Sequence, residues 1–423
     1  MAAMKAAGHE RDYGGGRLRS SFRLGLILLM PATAVAAAAE VGRIETVDPA
    51  GLPPPYASPS AYNAPREIER PAGALPQVPP GFQASVFAEG FEHARALVVA
   101  PDGAVLLAQP RPGVVTRLVD ADGDGKADRK SDIVTGLDLP HGLAFRADQL
   151  FVGDAYGVWQ VDYAGGAGGK PRRVTAEGAF GDTGGHWTRN IAFSADGAAL
   201  FVAIGSESNI AEDAAPRATI QRFAASGGAG TTFASGLRNP VGLAVNPETG
   251  TLWTVVNERD GLGDDLVPDY LASVVEGGFH GWPYGYMGHA DPRYGDKRPD
   301  LVAASRMPEV LFRSHSAPLG LVFYTGTAFP PEYRGDAFVA LHGSWNANQP
   351  RGYQVVRVDF DQGLPVANAY QVFADGFRRD AGAGKRAEVW GRPAGLAVAA
   401  DGALLVADDV ANVIWRISYM GTP

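Results

Sequence analysis

The chain has 423 residues, of which 46% are apolar and 20% are charged, the balance of an ordinary globular protein. Its formal net charge of −9 argues against nucleic acid or an anionic membrane surface as a partner, because both attract basic faces. The absence of cysteine excludes disulfides and covalently attached c-type haem.

Residues 1–39 have the pattern of a signal peptide. Arginines at 17, 19 and 23 form a basic region, residues 24–29 begin an apolar run, and residues 34–39 offer small side chains for cleavage. The run is short and is interrupted by Pro31, so we expect no stable membrane span after cleavage. The pattern predicts a periplasmic or secreted protein, with an uncleaved anchor as the alternative.

Residues 40–80 are rich in Pro and Ala and include three consecutive prolines at 53–55. This composition favours a linker, or a strap across the surface of the domain, over a helix. We expect the folded domain to occupy residues 81–423.

One pattern recurs through that domain: an apolar strand, an Asp-Gly turn, a second strand, and a third strand ending in an apolar-Arg-apolar stretch. The turns are clearest at Asp102-Gly103, Asp196-Gly197 and Asp401-Gly402. A marker aliphatic residue opens each of six units, and the first three intervals have the length of a four-stranded blade. The markers are Leu97, Leu143, Ile191, Leu243, Leu321 and Leu396. The pattern predicts an all-β protein, a six-bladed β-propeller of four-stranded antiparallel blades, rather than a pair of β-sandwiches.

Polar residues precede the first strand of each unit. In a propeller these positions gather around the central channel, where ligands bind. The alternative is a set of structural polar plugs that close the channel. The positions are His93, Arg95, His141, His186, Arg189, Arg238, Asn239, His315 and Arg392.

Several ordered motifs carry a resemblance to a known family. They are Gly-Gly-His-Trp-Thr-Arg at 184–189, Arg-Asn-Pro-Val-Gly-Leu at 238–243, Asn-Glu-Arg-Asp-Gly-Leu-Gly-Asp-Asp at 257–265, and Gly-Gly-Phe-His-Gly-Trp-Pro at 277–283. In this order they resemble the soluble PQQ-dependent sugar dehydrogenases over roughly residues 75–420. His-Gly-Ser-Trp-Asn at 342–346 is more similar to the sorbosone dehydrogenase branch than to the glucose branch.

The resemblance implies a sugar or aldehyde substrate, the cofactors PQQ and Ca²⁺, and a separate electron acceptor such as a cytochrome or a quinone. His186 resembles the general base of the family, with Arg189 and Arg238 as further catalytic residues. Guanidinium groups suit the carboxylates of PQQ because they pair with them bidentately. The implied cofactor-binding residues are Arg95, His141, Arg238, Asn239, His342, Trp345 and Arg392.

The same resemblance places the catalytic Ca²⁺ at Asp260-Gly261, largely through backbone carbonyls. Asp264 and Asp265 are candidates for a second ion that fixes their loop, with a solvated acidic turn as the alternative. A third candidate is an EF-hand-like run in which Ser131 takes the position of the usual twelfth-position Glu. Its carboxylates are Asp120, Asp122, Asp124 and Asp128, and an acidic hairpin without metal is the alternative.

Two positions depart from the glucose branch. A carboxylate that orients the catalytic histidine is expected after Ile204-Gly205, but Ser206 stands there and Glu207 follows. A cofactor-binding lysine is absent from residues 346–351, where Arg351 is the basic residue, and His342 lies nearby. These departures keep open a non-catalytic binding propeller, and a calcium-dependent lactonase-type hydrolase is a further alternative.

Flat apolar rings stack on sugar C–H surfaces, so tryptophans near the channel are candidates for a sugar site. Trp187 and Trp345 adjoin candidate channel residues, and either packing or sugar contact suits them. For Trp282 we expect packing.

Overall fold

The computed structural model describes residues 40–379 and 386–421, so the predicted signal peptide at 1–39 lies outside the described residues. Six antiparallel sheets follow one another along the chain, and they are numbered here in that order. Sheet 1 contains Ala96–Val99, Val105–Gln109, Val114–Val119 and Arg129–Val134. Sheet 2 contains Gly142–Arg146, Gln149–Gly153 and Val158–Ala164, with short strands at Ala167–Gly168 and Arg172–Arg173. Sheet 3 contains Ile191–Phe193, Ala199–Ile204, Thr219–Ala224 and Gly227–Ser235, to which Gly278–Phe279 adds in parallel.

The last three sheets have the same strand order. Sheet 4 contains Pro240–Val245, Leu252–Val256, Tyr270–Val274 and Val310–Leu311. Sheet 5 contains Pro318–Phe323, Ala337–Leu341, Gln354–Val358 and Tyr370–Ala374, with Ile44–Glu45 at its edge. Sheet 6 contains Pro393–Val398, Leu404–Asp408 and Val413–Tyr419, and Phe82–Glu89 supplies its fourth strand from the beginning of the domain.

The remaining elements are short. Three small sheets are formed by Arg66–Glu67 with Glu388–Val389 and Arg378–Arg379, by Gly285–Tyr286 with His289–Ala290, and by Phe360–Asp361 with Leu364–Pro365. The described residues contain one α-helix, Pro299–Ala304, and 3-10 turns at Pro49–Gly51, Gly295–Lys297 and Pro331–Tyr333. The all-β prediction is confirmed. Within residues 40–379 and 386–421, no helix has the length and apolarity that a membrane crossing requires.

The second strand of each sheet is buried on both faces, which explains why it reads as an unbroken apolar run. Side chains alternate along a strand, so neighbouring residues face opposite sheets. Leu106 packs with residues of sheet 2, whereas Leu107 packs with residues of sheet 6. Leu150 faces sheet 1 and Phe151 faces sheet 3 in the same way. Six apolar clusters therefore lie between successive sheets, and one of them joins sheet 6 to sheet 1.

The first strands also meet in the same cyclic order. Each contacts the first strand of the next sheet, and the one in sheet 6 contacts the one in sheet 1. All six marker aliphatic residues line a single cavity between these strands. Arg95, His141 and Asn190 line the same cavity, which places the polar pre-strand residues next to the markers.

The Asp-Gly turns form as their sequences predict. Gly103, Gly197 and Gly402 have positive φ values of 82°, 68° and 87°, which glycine adopts without a steric penalty. The Asp before each glycine accepts a hydrogen bond from the backbone N–H two residues after it, as Asp102 does from Ala104.

Residues 40–80 cross several loops of the domain before entering sheet 6. The backbone N–H of Tyr56 donates to the carbonyl of Leu262, and that of Asn63 donates to the carbonyl of Trp345. Arg66 and Gln77 bond to the backbone of Ala387 and Asp375 further along. We refer to this segment as the strap.

Candidate active site

The polar pre-strand residues meet residues that follow the second strands. In an antiparallel sheet the start of one strand and the end of its neighbour lie at the same edge. His186 and Arg238 arrive from the starts of first strands. Ser206, Asp260 and Asp409 arrive shortly after the ends of second strands. Side chains from the segments before first strands and from the loops after second strands therefore lie at the same end of the sheets.

His186 is held by the backbone that follows the second strand of sheet 3. Its Nδ1 lies 2.8 Å from the carbonyl oxygen and 3.1 Å from the hydroxyl oxygen of Ser206. Because a carbonyl only accepts, Nδ1 carries the proton and Nε2 has the lone pair. Nε2 has no partner among the described residues and is not enclosed. Burial, with a further effect of Arg238, lowers the pKa of His186 to about 4.

Ser206 thus takes the orienting role for which a carboxylate was expected. Its carbonyl accepts from the backbone N–H of His186 at 3.1 Å and from Nη2 of Arg217 at 2.8 Å. Its own N–H donates to the carbonyl of Arg238 at 2.6 Å. Glu207 donates its backbone N–H to Asp213. The imidazole is oriented by a neutral group and stays uncharged at neutral pH.

Gly205 lies in close contact with two site residues. A Cβ atom there would be 2.4 Å from Oδ1 of Asn239 and 2.7 Å from Cβ of His186. Cβ of His186 is fixed to the backbone and the Asn239 side chain is buried, so an added methyl group must displace both of them. The glycine therefore sets the spacing of His186 and Asn239.

We expect Gly205→Ala to lower kcat/KM of the dehydrogenase reaction proposed below by about 100-fold, because small misplacements of reacting groups have effects of this size. Steady-state kinetics and circular dichroism measure activity and fold. Gly51→Ala is the control, since its Cβ would approach only the side chain of Asp48, at 3.3 Å. Equal activity of both variants would contradict the spacing role.

Arg238 and Asp260 are joined by Asn209. Oδ1 of Asn209 accepts from Nη2 of Arg238 at 3.0 Å and from the backbone N–H of Asp260 at 2.8 Å. Its Nδ2 donates to the carbonyl of Asp260 at 3.0 Å. Burial lowers the pKa of Arg238, and Asp260 opposes that effect. Asn239, predicted to bind the cofactor, has a buried Oδ1 without a partner among the described residues.

The carboxylate of Asp260 connects residues at the ends of sheets 4 and 5. It lies 3.4 Å from Nη2 of Arg238 and 3.4 Å from Nδ1 of His315, and it accepts from Nδ2 of Asn346 at 2.6 Å. Burial opposes its charge, but His315, Arg238 and Asn346 lower the pKa of Asp260. The predicted calcium position at Asp260-Gly261 therefore lies beside Arg238, and its metal role stays a prediction.

A buried ion-pair network supports the loop that carries Asp260. Arg259 is fully buried and donates to Glu258 at 2.9 Å and to Asp291 at 3.1 Å. It also donates to the carbonyls of Pro283 and Gly285. Arg259 fastens the loop to the segment that begins with the Gly-Trp-Pro motif.

Asp264 and Asp265 both pair with Arg351. Nη2 of Arg351 lies 2.8 Å from Oδ2 of Asp264 and 2.6 Å from Oδ1 of Asp265. Oδ1 of Asp264 accepts from the backbone N–H of Asn348, and the backbone N–H of Asp264 donates to Oγ of Ser58. The positive charge of Arg351 compensates the negative charges of both carboxylates. A metal role for the two carboxylates stays a prediction.

A second cluster forms around Asp409, directly after the second strand of sheet 6. Its carboxylate pairs with Arg95, accepts from Nε2 of His342 at 2.8 Å, and lies 3.6 Å from Nε2 of His93. Burial opposes its charge, but His342 and Arg95 hold the pKa of Asp409 far below its usual range. Burial lowers the pKa of His342 to about 3, so the imidazole is neutral. Asp409 thus fixes the position of two predicted cofactor-binding residues.

Two further predicted residues lie against this cluster. Arg392 donates through Nε and Nη2 to the carbonyls of His342 and Gly343. His141 is buried, and burial holds its pKa well below the usual value. The ring of Trp187 lies 5.5 Å from the Arg95 guanidinium carbon and 5.6 Å from the His141 ring.

Arg189 is more deeply buried than a residue that contacts substrate is expected to be. It is fully buried, and its Nη1 donates to the carbonyls of His186 and Thr188. Burial, with Arg217 nearby, lowers the pKa of Arg189 to about 9. Its position supports the backbone of His186, and the predicted catalytic role stays a prediction.

Trp282 and Trp345 differ in burial. Trp282 is buried and donates Nε1 to the carbonyl of Asn209 at 3.2 Å, so it packs under the site. Trp345 has 47% of its surface exposed, although Ser344 and Asn346 on either side are buried. Tyr62 of the strap lies against it, with ring centroids 5.7 Å apart at 68°.

The EF-hand-like run lies between the third and fourth strands of sheet 1, away from the strand starts that carry the site. Ligand oxygens of Asp120, Asp122 and Asp124 lie within 4.8 Å of one another. Asp128 stands apart from this group and accepts from the backbone N–H of Ala121. Calcium binding there stays a prediction.

Four residues of the site were not predicted from the sequence: Asp409, Asn209, Asn346, and Ser206 as the partner that orients His186. All four lie in loops that follow second strands, and these loops meet the starts of first strands only when the sheets form. A signal was nevertheless present for Asp409, because the apolar second strand of sheet 6 ends in an acidic residue, Asp408, and Asp409 follows it directly.

Comparisons with known proteins show which proteins this chain is similar to. The chain is 32% identical to an uncharacterised protein of Borreliella burgdorferi over 236 residues, 55% of this chain and 61% of that protein. It is 28% identical to the aldose sugar dehydrogenase YliI of Escherichia coli over 107 residues, 25% of this chain and 27% of that protein. The chain thus matches less than two thirds of the length of either relative.

Two solved structures share the fold. The holo form of the PQQ domain of pyranose dehydrogenase from Coprinopsis cinerea superposes with a TM-score of 0.70 at 20% identity, covering 84% of this chain and 99% of that one. The calcium structure of the Trichoderma reesei carbohydrate-active enzyme of family AA12 gives 0.70 at 21% identity, covering 82% and 97%.

A family model described as TrAA12-like matches residues 76–268 and 296–420, which is most of the chain. The predicted resemblance to PQQ-dependent sugar dehydrogenases is confirmed at the level of the family, whereas the sorbosone branch stays a prediction. This chain belongs to the TrAA12-like family.

Proposed function

We propose that this protein is an exported, PQQ- and Ca²⁺-dependent dehydrogenase that oxidises an aldose or a sorbosone-like sugar aldehyde. The observation that carries the proposal is His186, a neutral imidazole with a free Nε2 beside the guanidinium of Arg238. An imidazole in this state accepts a proton at neutral pH. The proposed localisation is periplasmic or secreted, and the electrons pass to a separate acceptor such as a cytochrome or a quinone.

The residues present fit an anionic quinone. Arg95, Arg238 and Arg392 bring guanidinium groups to the ends of three sheets, and such groups pair with carboxylates bidentately. Arg95 Nε and Asn239 Oδ1 are buried without partners among the described residues, and such atoms are costly unless a ligand or water satisfies them. These residues, with His141 and His342, would hold the cofactor. Trp345, also predicted to bind the cofactor, is exposed and lies against Tyr62 of the strap.

The chain's own groups prepare the proton transfer. The Ser206 carbonyl keeps the Nδ1 proton of His186 in place, so Nε2 receives the proton of the substrate hydroxyl. Arg238 disfavours the charged imidazole, which keeps the base free at neutral pH. Bound PQQ would supply the hydride acceptor, and Ca²⁺ held near Asp260-Gly261 would supply a Lewis acid.

We also propose that the six sheets are the blades of a six-bladed propeller, with residues 81–423 as the domain and 40–80 as its strap. The cyclic contacts of the first strands and the six clusters between successive sheets support this architecture. Phe82–Glu89 and Val413–Tyr419 would close the ring by joining the two ends of the domain in sheet 6.

A reconstitution experiment tests the function. Chelator-treated protein is titrated with PQQ and Ca²⁺, and dye reduction is then followed on a panel of aldoses and sorbosone. We expect activity only when both additions are present, since the anionic cofactor and its cation complete one site. Failure to bind PQQ in the presence of Ca²⁺ would overturn the proposal, whereas hydrolysis of lactones by such a preparation would favour the lactonase alternative.

A further inference from the structure

Trp345 is exposed in a loop that is otherwise largely buried. The loop begins at His342, which is bonded to Asp409, and reaches Asn346, which is bonded to Asp260. It therefore connects the two clusters of the site. Nearly half of the surface of Trp345 is exposed although its neighbours in the chain are buried, so its ring is not part of the hydrophobic core.

Tyr62 extends this aromatic surface from the strap. It is 81% exposed, and its ring meets that of Trp345 edge to face. The next residue, Asn63, holds the pair in place: its backbone N–H donates to the carbonyl of Trp345 at 2.9 Å, and its Nδ2 donates to the carbonyl of Asn348 at 3.1 Å. Two large rings are thus held by backbone contacts while most of the Tyr62 surface faces solvent.

Such a pair has the properties of a carbohydrate platform. Rings set at 68° form a corner with two flat apolar faces, and the C–H surfaces of sugars pack on faces of this kind. The contact needs little reorganisation because the strap and the loop are already joined. In the proposed function the reacting sugar unit binds at His186, so a platform outside the two clusters suits a second sugar unit.

We propose that Tyr62 and Trp345 form a subsite for a sugar unit beyond the reacting one, so that oligosaccharides are preferred over the corresponding monosaccharide. This rests on the proposed function for the reacting end of the substrate. The strap is then part of the binding site rather than only a surface segment.

The subsite is tested by steady-state kinetics on the full chain reconstituted with PQQ and Ca²⁺. The substrates are a monosaccharide and the di- and trisaccharide that have the same reducing end. We expect Tyr62→Ala to raise KM for the oligosaccharides about 5-fold, the size of one aromatic contact, and to leave the monosaccharide unchanged. Tyr62→Phe should keep the wild-type preference, because the ring rather than the hydroxyl makes the contact. Tyr56→Ala is the matched control, an exposed tyrosine of the same strap.

Calorimetry with the methyl glycoside of the trisaccharide, without PQQ, separates this inference from the proposed function. Binding that Tyr62→Ala weakens supports the subsite even if no turnover is found. Turnover with identical chain-length preference in wild type and Tyr62→Ala overturns the subsite and leaves the dehydrogenase standing. A Tyr62→Ala defect seen only with a protein electron acceptor, and not with a dye, also overturns it, because the surface would then bind the acceptor.

Discussion

Replacing His186 with Asn is expected to lower kcat by about 10²–10⁴-fold, the usual contribution of a general base. The Asn amide can still donate to the Ser206 carbonyl in place of Nδ1, but no acceptor remains at the position of Nε2. PQQ affinity should change little, since the arginines are untouched. Reconstituted protein assayed by dye reduction, together with a PQQ titration, measures both quantities.

The pH profile checks the same residue in the wild-type protein. The neutral imidazole is the active form, and burial lowers the pKa of His186 to about 4 rather than 6.5. The contribution of the base should therefore persist as pH falls from 7 to 5 and disappear as pH falls through about 4. His289→Asn, on an exposed strand, is the control and should behave as wild type. Undiminished turnover in His186→Asn would assign the base to another group.

The largest expected effect on stability comes from Arg259. Arg259→Met removes the counter-charge of Glu258 and part of that of Asp291, both of which are buried. Leaving a buried charge uncompensated lowers the free energy of unfolding by about 3–5 kcal/mol. Because Arg259 fastens the loop of Asp260-Gly261, we also expect weaker Ca²⁺ binding. Denaturant unfolding and calcium titration measure the two effects.

Arg298→Met is the matched control, since Arg298 pairs with Asp300 at the surface. Exposed ion pairs contribute little, so its unfolding midpoint should equal that of the wild type. If Arg259→Met unfolded at the same denaturant concentration as Arg298→Met, the buried network would not support the loop.

The recurring residues were predictable because they follow local rules. Asp102-Gly103 and its two counterparts form turns through a carboxylate bond to the backbone and a positive φ at glycine, both of which are encoded within a few residues. The marker aliphatic residues were recognised by their position relative to these turns, and they line one cavity. The motif around His186 is also local, which is why His186 was predicted as the base although its hydrogen-bond partner was not.

The hydrogen-bond partner that orients His186 could not be predicted from the sequence. The glucose branch has a carboxylate at the position after Gly205, and Ser206 in its place predicts that the group that orients His186 has moved or been lost. The hydrogen-bond partner is instead a backbone carbonyl, which has no signature in the identity of Ser206. Every residue has a backbone carbonyl, and only the folded path of the chain decides which carbonyl points at the imidazole.

The sequence by itself determined the β-rich architecture, the turns and most of the residues that gather at the strand ends, since alternation and turn chemistry act over short distances. The tertiary structure decided the partners and charge states. Asp409 meets His342 and Arg95 from positions 67 and 314 residues away, and Tyr62 meets Trp345 across the strap. Burial and neighbouring charges set each pKa, and both arise only when distant segments come together.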